Sequence, residues 1–262
     1  MRIMQKYSKV FTLSFSHALK NTKSLIGLSF FLLICLVIFS NLWKVMAAKT
    51  GAFHLEPTTL LWYIALNEWI FIAIPRPERD MEMDLRSGKL AYLLPRPISY
   101  LISTFFHSFG AFMANFLVLG VVSFGFTWMQ VGFPPIPAIA WPLFLAIGAL
   151  SGIVGILFQM VIGLSAFWIH EVEPFTWIWE KLLFAFGGLI LPLSIYPQWW
   201  QKLSLFTPFP YILGYRSALV IEFGFLEFFR ITSGLLFFGL FCIGAISLLY
   251  KKGLKILNIE GG

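Results

Sequence analysis

Residues 75–97 (PRPERDMEMDLRSGKLAYLLPRP) carry nine charged side chains, Arg76, Glu78, Arg79, Asp80, Glu82, Asp84, Arg86, Lys89 and Arg96, in a chain otherwise poor in charge. None of them falls in a pattern that makes or breaks a covalent bond. Their chemistry is recognition: mixed charge on a short helix offers ion pairs to another surface in water. Met81 and Leu85 are four apart and share one helical face, while Glu82 and Arg86 are spaced to pair along another. Pro75 and Pro77 stop any preceding helix and suit the first turn of a new one, where no amide donor is needed. Glu78 and Asp80 then meet the positive end of the helix dipole. Ser87-Gly88 supplies the stop, glycine tolerating the left-handed turn that ends helices. The spacing predicts a helix over 78–87, and two readings of it stand: a docking helix, or a solvated loop that happens to be helical.

Catalytic motifs are missing. The only Gly-Lys pair, Gly88-Lys89, is followed by Leu90 and lacks the glycine five residues before Gly88 that a phosphate-cradling loop needs. Neither an HExxH zinc pair nor a GxSxG elbow occurs, so the chain is expected to be non-catalytic by itself and to hold no metal. Cys35 and Cys242 sit in apolar runs, where they act as small hydrophobes. Glu68 is the one acidic residue plainly inside an apolar segment. Charged at the bilayer centre it would cost about 2.5–3.5 kcal/mol, so it either lines a cavity or pairs with Arg76 or Arg79 at the rim. His107, Asn115 and Gln159 are candidates for a substrate path or for hydrogen bonds between helices. Glu171 and Glu173 belong to a second polar loop.

The elements that must position these groups follow from composition. Of 262 residues 59% are hydrophobic and 12% charged, against roughly 25% charged in an ordinary soluble domain; the solvent of such a chain is lipid. The excess of seven positive charges then reports topology rather than nucleic-acid binding. Crossing the hydrocarbon core takes about 20 apolar residues of helix, and six segments qualify: 25–43, 58–74, 101–128, 142–169, 175–196 and 231–250. Placing the N-terminus, the 75–100 loop, the 170–181 loop and the C-terminus on one side collects 14 of the 19 lysines and arginines, leaving Lys44, Lys49, Lys202, Arg216 and Arg230 opposite. By the positive-inside rule both termini are cytoplasmic. The first apolar core, 25–42, exceeds the usual signal-peptide length, so it is expected to stay as a span. Residues 1–24 read as a basic amphipathic helix in the membrane interface. Residues 197–230 are apolar but proline-rich and read as short re-entrant or surface helices, because broken backbone at membrane depth survives only where protein or water satisfies it. Gly148/Gly152 and Ser151/Gly155 permit close helix packing. The fold class is an all-α integral membrane protein, one transmembrane domain over 1–262, with no internal repeat.

The string 87–100 (SGKLAYLLPRPISY) resembles the motif after the second span in six-span permeases of type-2 class ABC exporters, in the subgroup described only as ABC-type transport system permeases. The pattern Gly188-x3-Pro192-x4-Pro197-x10-Pro208-Phe209 followed by Tyr211 is similar to the same subgroup, as is the closing Glu260-Gly261-Gly262. Together these cover nearly the whole chain in order. The resemblance implies a half-transporter in the inner or plasma membrane, paired with a second, identical or related permease and with two cytosolic ABC ATPase subunits. In that case Glu78, Arg79, Asp80, Met81, Glu82, Asp84, Leu85 and Arg86 form a coupling helix at the ATPase interface. This chain would bind no cofactor, with ATP and Mg held by the partner ATPase. Membrane lipids surround it, nucleic acid is no partner, and the cargo is expected to be hydrophobic or amphiphilic. The rival class is a stand-alone secondary transporter or channel. The lack of a repeated half and the scarcity of ionisable groups inside the spans count against it.

Overall fold

The computed structural model describes residues 2–50, 57–134, 136–137, 140–169, 171–221 and 223–260. The described residues are helical and irregular, with no strand. Twelve α-helices follow in order: α1 (Arg2–Lys20), α2 (Thr22–Thr50), α3 (Pro57–Ala73), α4 (Pro77–Arg86), α5 (Lys89–Leu93), α6 (Tyr100–Val131), α7 (Ala140–Leu164), α8 (Glu173–Ala185), α9 (Gln198–Ser204), α10 (Phe209–Ile212), α11 (Gly214–Ala218) and α12 (Phe225–Glu260). Among them five stretches are long and apolar enough to cross a membrane: Thr22–Trp43, Thr58–Arg86, Tyr100–Val131, Ala140–Phe167 and Phe225–Ile256. The second is interrupted at 74–76. Its apolar part is α3, and α4, six of whose ten side chains are charged, lies beyond it. This is the architecture of a multi-pass membrane protein.

The expected span over 175–196 is not one helix. α8 has 13 residues, about 20 Å at 1.5 Å per residue, which falls short of a hydrocarbon core of about 30 Å. It stops at Gly187-Gly188, where Gly188 takes a positive φ of 64°. Pro192 and Pro197 keep the helix from resuming, and the chain continues through a single 3-10 turn, Leu193–Ile195. The proline-rich stretch from 197 carries the short helices α9, α10 and α11 before α12 starts at Phe225. α12 begins earlier and ends later than the 231–250 expected of it. The closing Gly261-Gly262 lies outside the described residues.

Packing centres on α3, buried along nearly its whole length from Leu60 to Ala73. It is flanked by α2, α6 and α11. Because lipid is as apolar as leucine, close fit rather than hydrophobic burial holds these helices together, and α7 provides it. The small positions on α7 receive the Phe116 ring at Gly148, the Phe112 ring at Gly152 and the Ile74 side chain at Gly155. α1 lies along the first turns of α6 and runs in the same direction. Tyr7 accepts a hydrogen bond from the Ser99 amide (2.9 Å) and stacks on Phe106, while the Ser14 hydroxyl donates to the His107 carbonyl at 2.6 Å.

Candidate functional site

The charged island forms α4, one residue earlier than its spacing predicts, followed by the single turn of α5. Pro77 opens it, Glu78 and Asp80 occupy the first turn, Arg86 the last, and Gly88 follows at φ 69°. The helix is not a free arm. It packs on α7, where Met81 (2% exposed) and Glu78 (0% exposed) settle over Gly163. Four hydrogen bonds tie it and its N-cap Arg76 to α8 and to the residue before α8. Arg79 holds Glu173 with two nitrogens, at 2.7 and 3.1 Å; Arg76 holds Glu180 at 2.6 Å; and Glu82 accepts from the Val172 amide at 3.3 Å. The two polar loops of the sequence are therefore one structural unit. Glu82–Arg86 (2.8 Å) and Asp84–Lys89 (2.7 Å) close further pairs within it.

This arrangement corrects the assignment of faces. Met81 and Leu85 were expected to present an apolar face to a partner. Instead Met81 is buried against α7 and Leu85 is partly buried against the core. Four-residue spacing sets which side chains share a face but not which way that face turns. The small Gly163 makes room on the inner side. What α4 exposes is Arg79, Asp80, Met83 and Arg86, with Met83 59% exposed. Glu78 is buried, and among the described residues neither of its oxygens is bonded except to its own backbone amide. Burial pushes its carboxyl up to about 7, against the pull of Arg76 and Arg79. Beside α4 opens a cleft of about 910 Å³ between α1, α5 and the start of α6, which includes Asp80, Asp84, Arg86, Lys89 and Arg96 in its walls.

The four polar residues expected within the spans separate. His107 is exposed and lines that charged cleft, near Asp80 of α4. Glu68 is 3% exposed on α3, near Cys35 of α2. It does not pair with Arg76 or Arg79, which hold Glu180 and Glu173 instead. Asn115 and Gln159 do meet, in a cavity of about 280 Å³ between α2, α3, α6, α7 and α8. The Asn115 amide donates to the Ala73 carbonyl at 3.2 Å, and the Gln159 carbonyl oxygen, buried, has no partner among the described residues.

A second polar cluster escaped sequence reading. Arg216 of α11, counted above among bases on the far side, is 0% exposed and belongs to neither face. Its Nη2 donates to the Leu66 carbonyl (2.6 Å) and to the Ser217 hydroxyl (3.0 Å), and its guanidinium lies 5.4 Å from the Phe144 ring centre. Ser217 donates to Asn67 Oδ1 at 2.6 Å, and Asn67 Nδ2 reaches the Gly188 and Leu189 carbonyls at 3.2 and 3.0 Å. The Tyr63 hydroxyl also donates to Gly188, and the Gly214 amide to Gly187 at 2.9 Å. These bonds satisfy the backbone freed where the helix breaks after α8. The available signal was a lone arginine in the apolar run 203–229. Among known proteins, no family model matches the chain and no curated protein matches it significantly.

Proposed function

We propose that this chain is the membrane-spanning permease of an ATP-driven exporter, with ATP hydrolysed by separate cytosolic chains that dock on α4. Six crossings make up the permease, the fifth carried by α8 together with the broken segment after it, and both termini and α4 face the cytoplasm. The observation that carries the reading is the anchoring of α4. A docking element that transmits force must be stiff where it joins the spans. α4 sits on Gly163 of α7 and is pinned to α8 through Arg79–Glu173 and Arg76–Glu180, so a push on its exposed face would move two membrane-embedded helices together. The sequence resemblance over 87–100 and 188–211 supports the same reading. The work on the cargo would be done by movement of α7 and α8 against α3, with no bond made or broken in this chain.

The test is native mass spectrometry of the chain purified from its own membranes. Two permease and two P-loop ATPase subunits are expected. Transport by the chain reconstituted alone would overturn the proposal in favour of a stand-alone transporter.

A further inference from the structure

We infer that the apolar groove between α6 and α7 holds one hydrocarbon chain of a membrane phospholipid. Its floor is α3, with Trp62, Leu66 and Trp69, and its sides are α6 and α7. Two glycines of α6 open it. A methyl group at Gly120 would come 2.5 Å from the Trp69 ring, so α6 lays no side chain over that indole and the ring itself forms the floor. At Gly125 a methyl group would meet nothing within 4 Å, so the slot continues past it as open space. The polar side-chain atoms deep in the groove are already used inside the protein. Trp62 Nε1 donates to the Gly132 carbonyl at 3.2 Å, Trp69 Nε1 to the Phe116 carbonyl at 2.7 Å, and the Ser123 hydroxyl to the Ala65 carbonyl at 2.9 Å. Such walls leave water without the polar partners it needs, and an empty slot would forfeit dispersion contacts along its lining. What remains is hydrocarbon, which the bilayer around a multi-pass chain supplies. The shape of the groove favours a lipid chain over a second copy of this protein. From Phe116 to Trp128 it follows α6 for about 18 Å at 1.5 Å per residue, close to the depth of one leaflet of a core about 30 Å thick. A volume of about 620 Å³ over that length leaves a width of about 7 Å, less than the diameter of a helix with its side chains. A neighbouring helix could reach in only with separate side chains, and the rim holds its backbone off: Leu117, Val121 and Leu145 stand exposed along it, whereas helices that pack closely in lipid meet through small residues. Trp128 and Trp141 close the end remote from α4, where indoles suit the membrane boundary and would flank the lipid headgroup.

The inference does not rest on the exporter reading, so the test uses the purified chain alone, in nanodiscs. These are doped with a phosphatidylcholine whose acyl chain carries a diazirine at its methyl end, and cross-links are mapped by peptide mass spectrometry after illumination. Bulk lipid should label the outward face of α12, at Phe237 and Phe241, in every variant. The wild type should also be labelled at Trp69 or Gly120, beneath the rim of the groove. Gly125→Phe places a ring where a chain descending from Trp128 has to pass, and should cut labelling in the groove at least threefold relative to α12. Phenylalanine is a better helix former than glycine, so this variant should melt no lower than wild type. Gly125→Ala, too small to fill the slot, should keep wild-type labelling, and Leu145→Trp, which narrows the slot from α7, should act like Gly125→Phe. Three results would overturn the inference: no label in the groove of the wild type, labelling unchanged in both filling variants, or a purified dimer that the filling variants turn into monomer, the mark of a second copy seated there. Transport by the chain alone, which would overturn the exporter reading, leaves each of these outcomes as it stands.

Discussion

Gly163 of α7 lies directly beneath Met81 of α4: a methyl group added at Gly163 would come 2.9 Å from the Met81 sulfur and 3.0 Å from the Glu78 Cα. The sulfur is the end of a flexible side chain and can give way, but the Cα is backbone and cannot move without the helix. The seat of α4 on the spans is thus set by the absence of one side chain.

Gly163→Val should lift α4 from α7 and cost about 1–3 kcal/mol, as overpacking does. A lower melting temperature in nanodiscs is the readout. Adding Met81→Ala should recover only part of the loss, because the contact with Glu78 backbone remains.

Glu78 gives the assembly a pH dependence of definite sign. Its folded pKa, about 7, stands above the ordinary 4.5, so between these values the folded state holds the proton that the unfolded state releases. Stability is therefore highest below about pH 4.5, falls as pH rises, and levels off above pH 7, with a total loss of about 3 kcal/mol. Arg76, Arg79 and Glu173 are the charged groups facing it. In Glu78→Gln this slope should become shallower by the Glu78 share, with burial of Asp80 still contributing in the same direction, leaving the variant more stable than wild type at pH 8; melting curves across pH 4.5–8 decide, and an unchanged slope refutes the assignment.

The Arg79–Glu173 pair is exposed, at 45% and 59%, so a double-mutant cycle should give it no more than about 1 kcal/mol of stability, reduced by salt. Under the proposed exporter reading its role is mechanical. Glu173→Arg should uncouple ATP hydrolysis from transport at nearly wild-type melting temperature, and the charge swap Arg79→Glu with Glu173→Arg should restore it. If the swap rescues nothing, α8 does not receive motion through this bond.

Docking on α4 should depend on Met83, not Met81. Met83→Asp puts charge in the centre of the exposed face and should abolish co-purification of the ATPase without affecting membrane insertion. Met81→Asp buries an unpaired carboxylate and should lower the yield of folded chain. Wild-type ATPase retention in Met83→Asp would move the docking surface to the cleft beside α5.

Topology can be read with an impermeant maleimide on single cysteines in intact cells. Ser87→Cys should be silent from outside and Gln201→Cys should label. The reverse pattern would invert the molecule and remove α4 from the cytoplasm.

The long helices were legible because an apolar run of about 20 residues has one stable form in lipid, and α4 was legible because Pro77 and Gly88 bracket it. The fifth apolar segment is not one continuous helix as read, since hydropathy averages over a backbone break that two glycines and Pro192 impose at Gly187-Gly188. Which face of α4 turns inward depended on Gly163, 82 residues from Met81, and no local pattern announces that meeting. Asn115 and Gln159 were picked out one by one as polar residues in spans, but the cavity they share exists only after five helices assemble. Arg216 misled for a related reason: a basic residue was taken for a marker of water, and its partners are the Leu66 carbonyl of α3, 150 residues earlier, and the neighbouring Ser217 hydroxyl, which in turn bonds Asn67.

The broken backbone after α8 also governs how the chain can be built. The Gly187 and Gly188 carbonyls are met by the Gly214 amide, Tyr63 and Asn67, so this stretch cannot settle in lipid at the moment it leaves the ribosome. Tyr63 and Asn67 are already in the bilayer by then, but Gly214 and the Arg216–Ser217 clasp are made later. The backbone hydrogen bonds of residues 187–188 are therefore complete only once α3 and α11 are both in place.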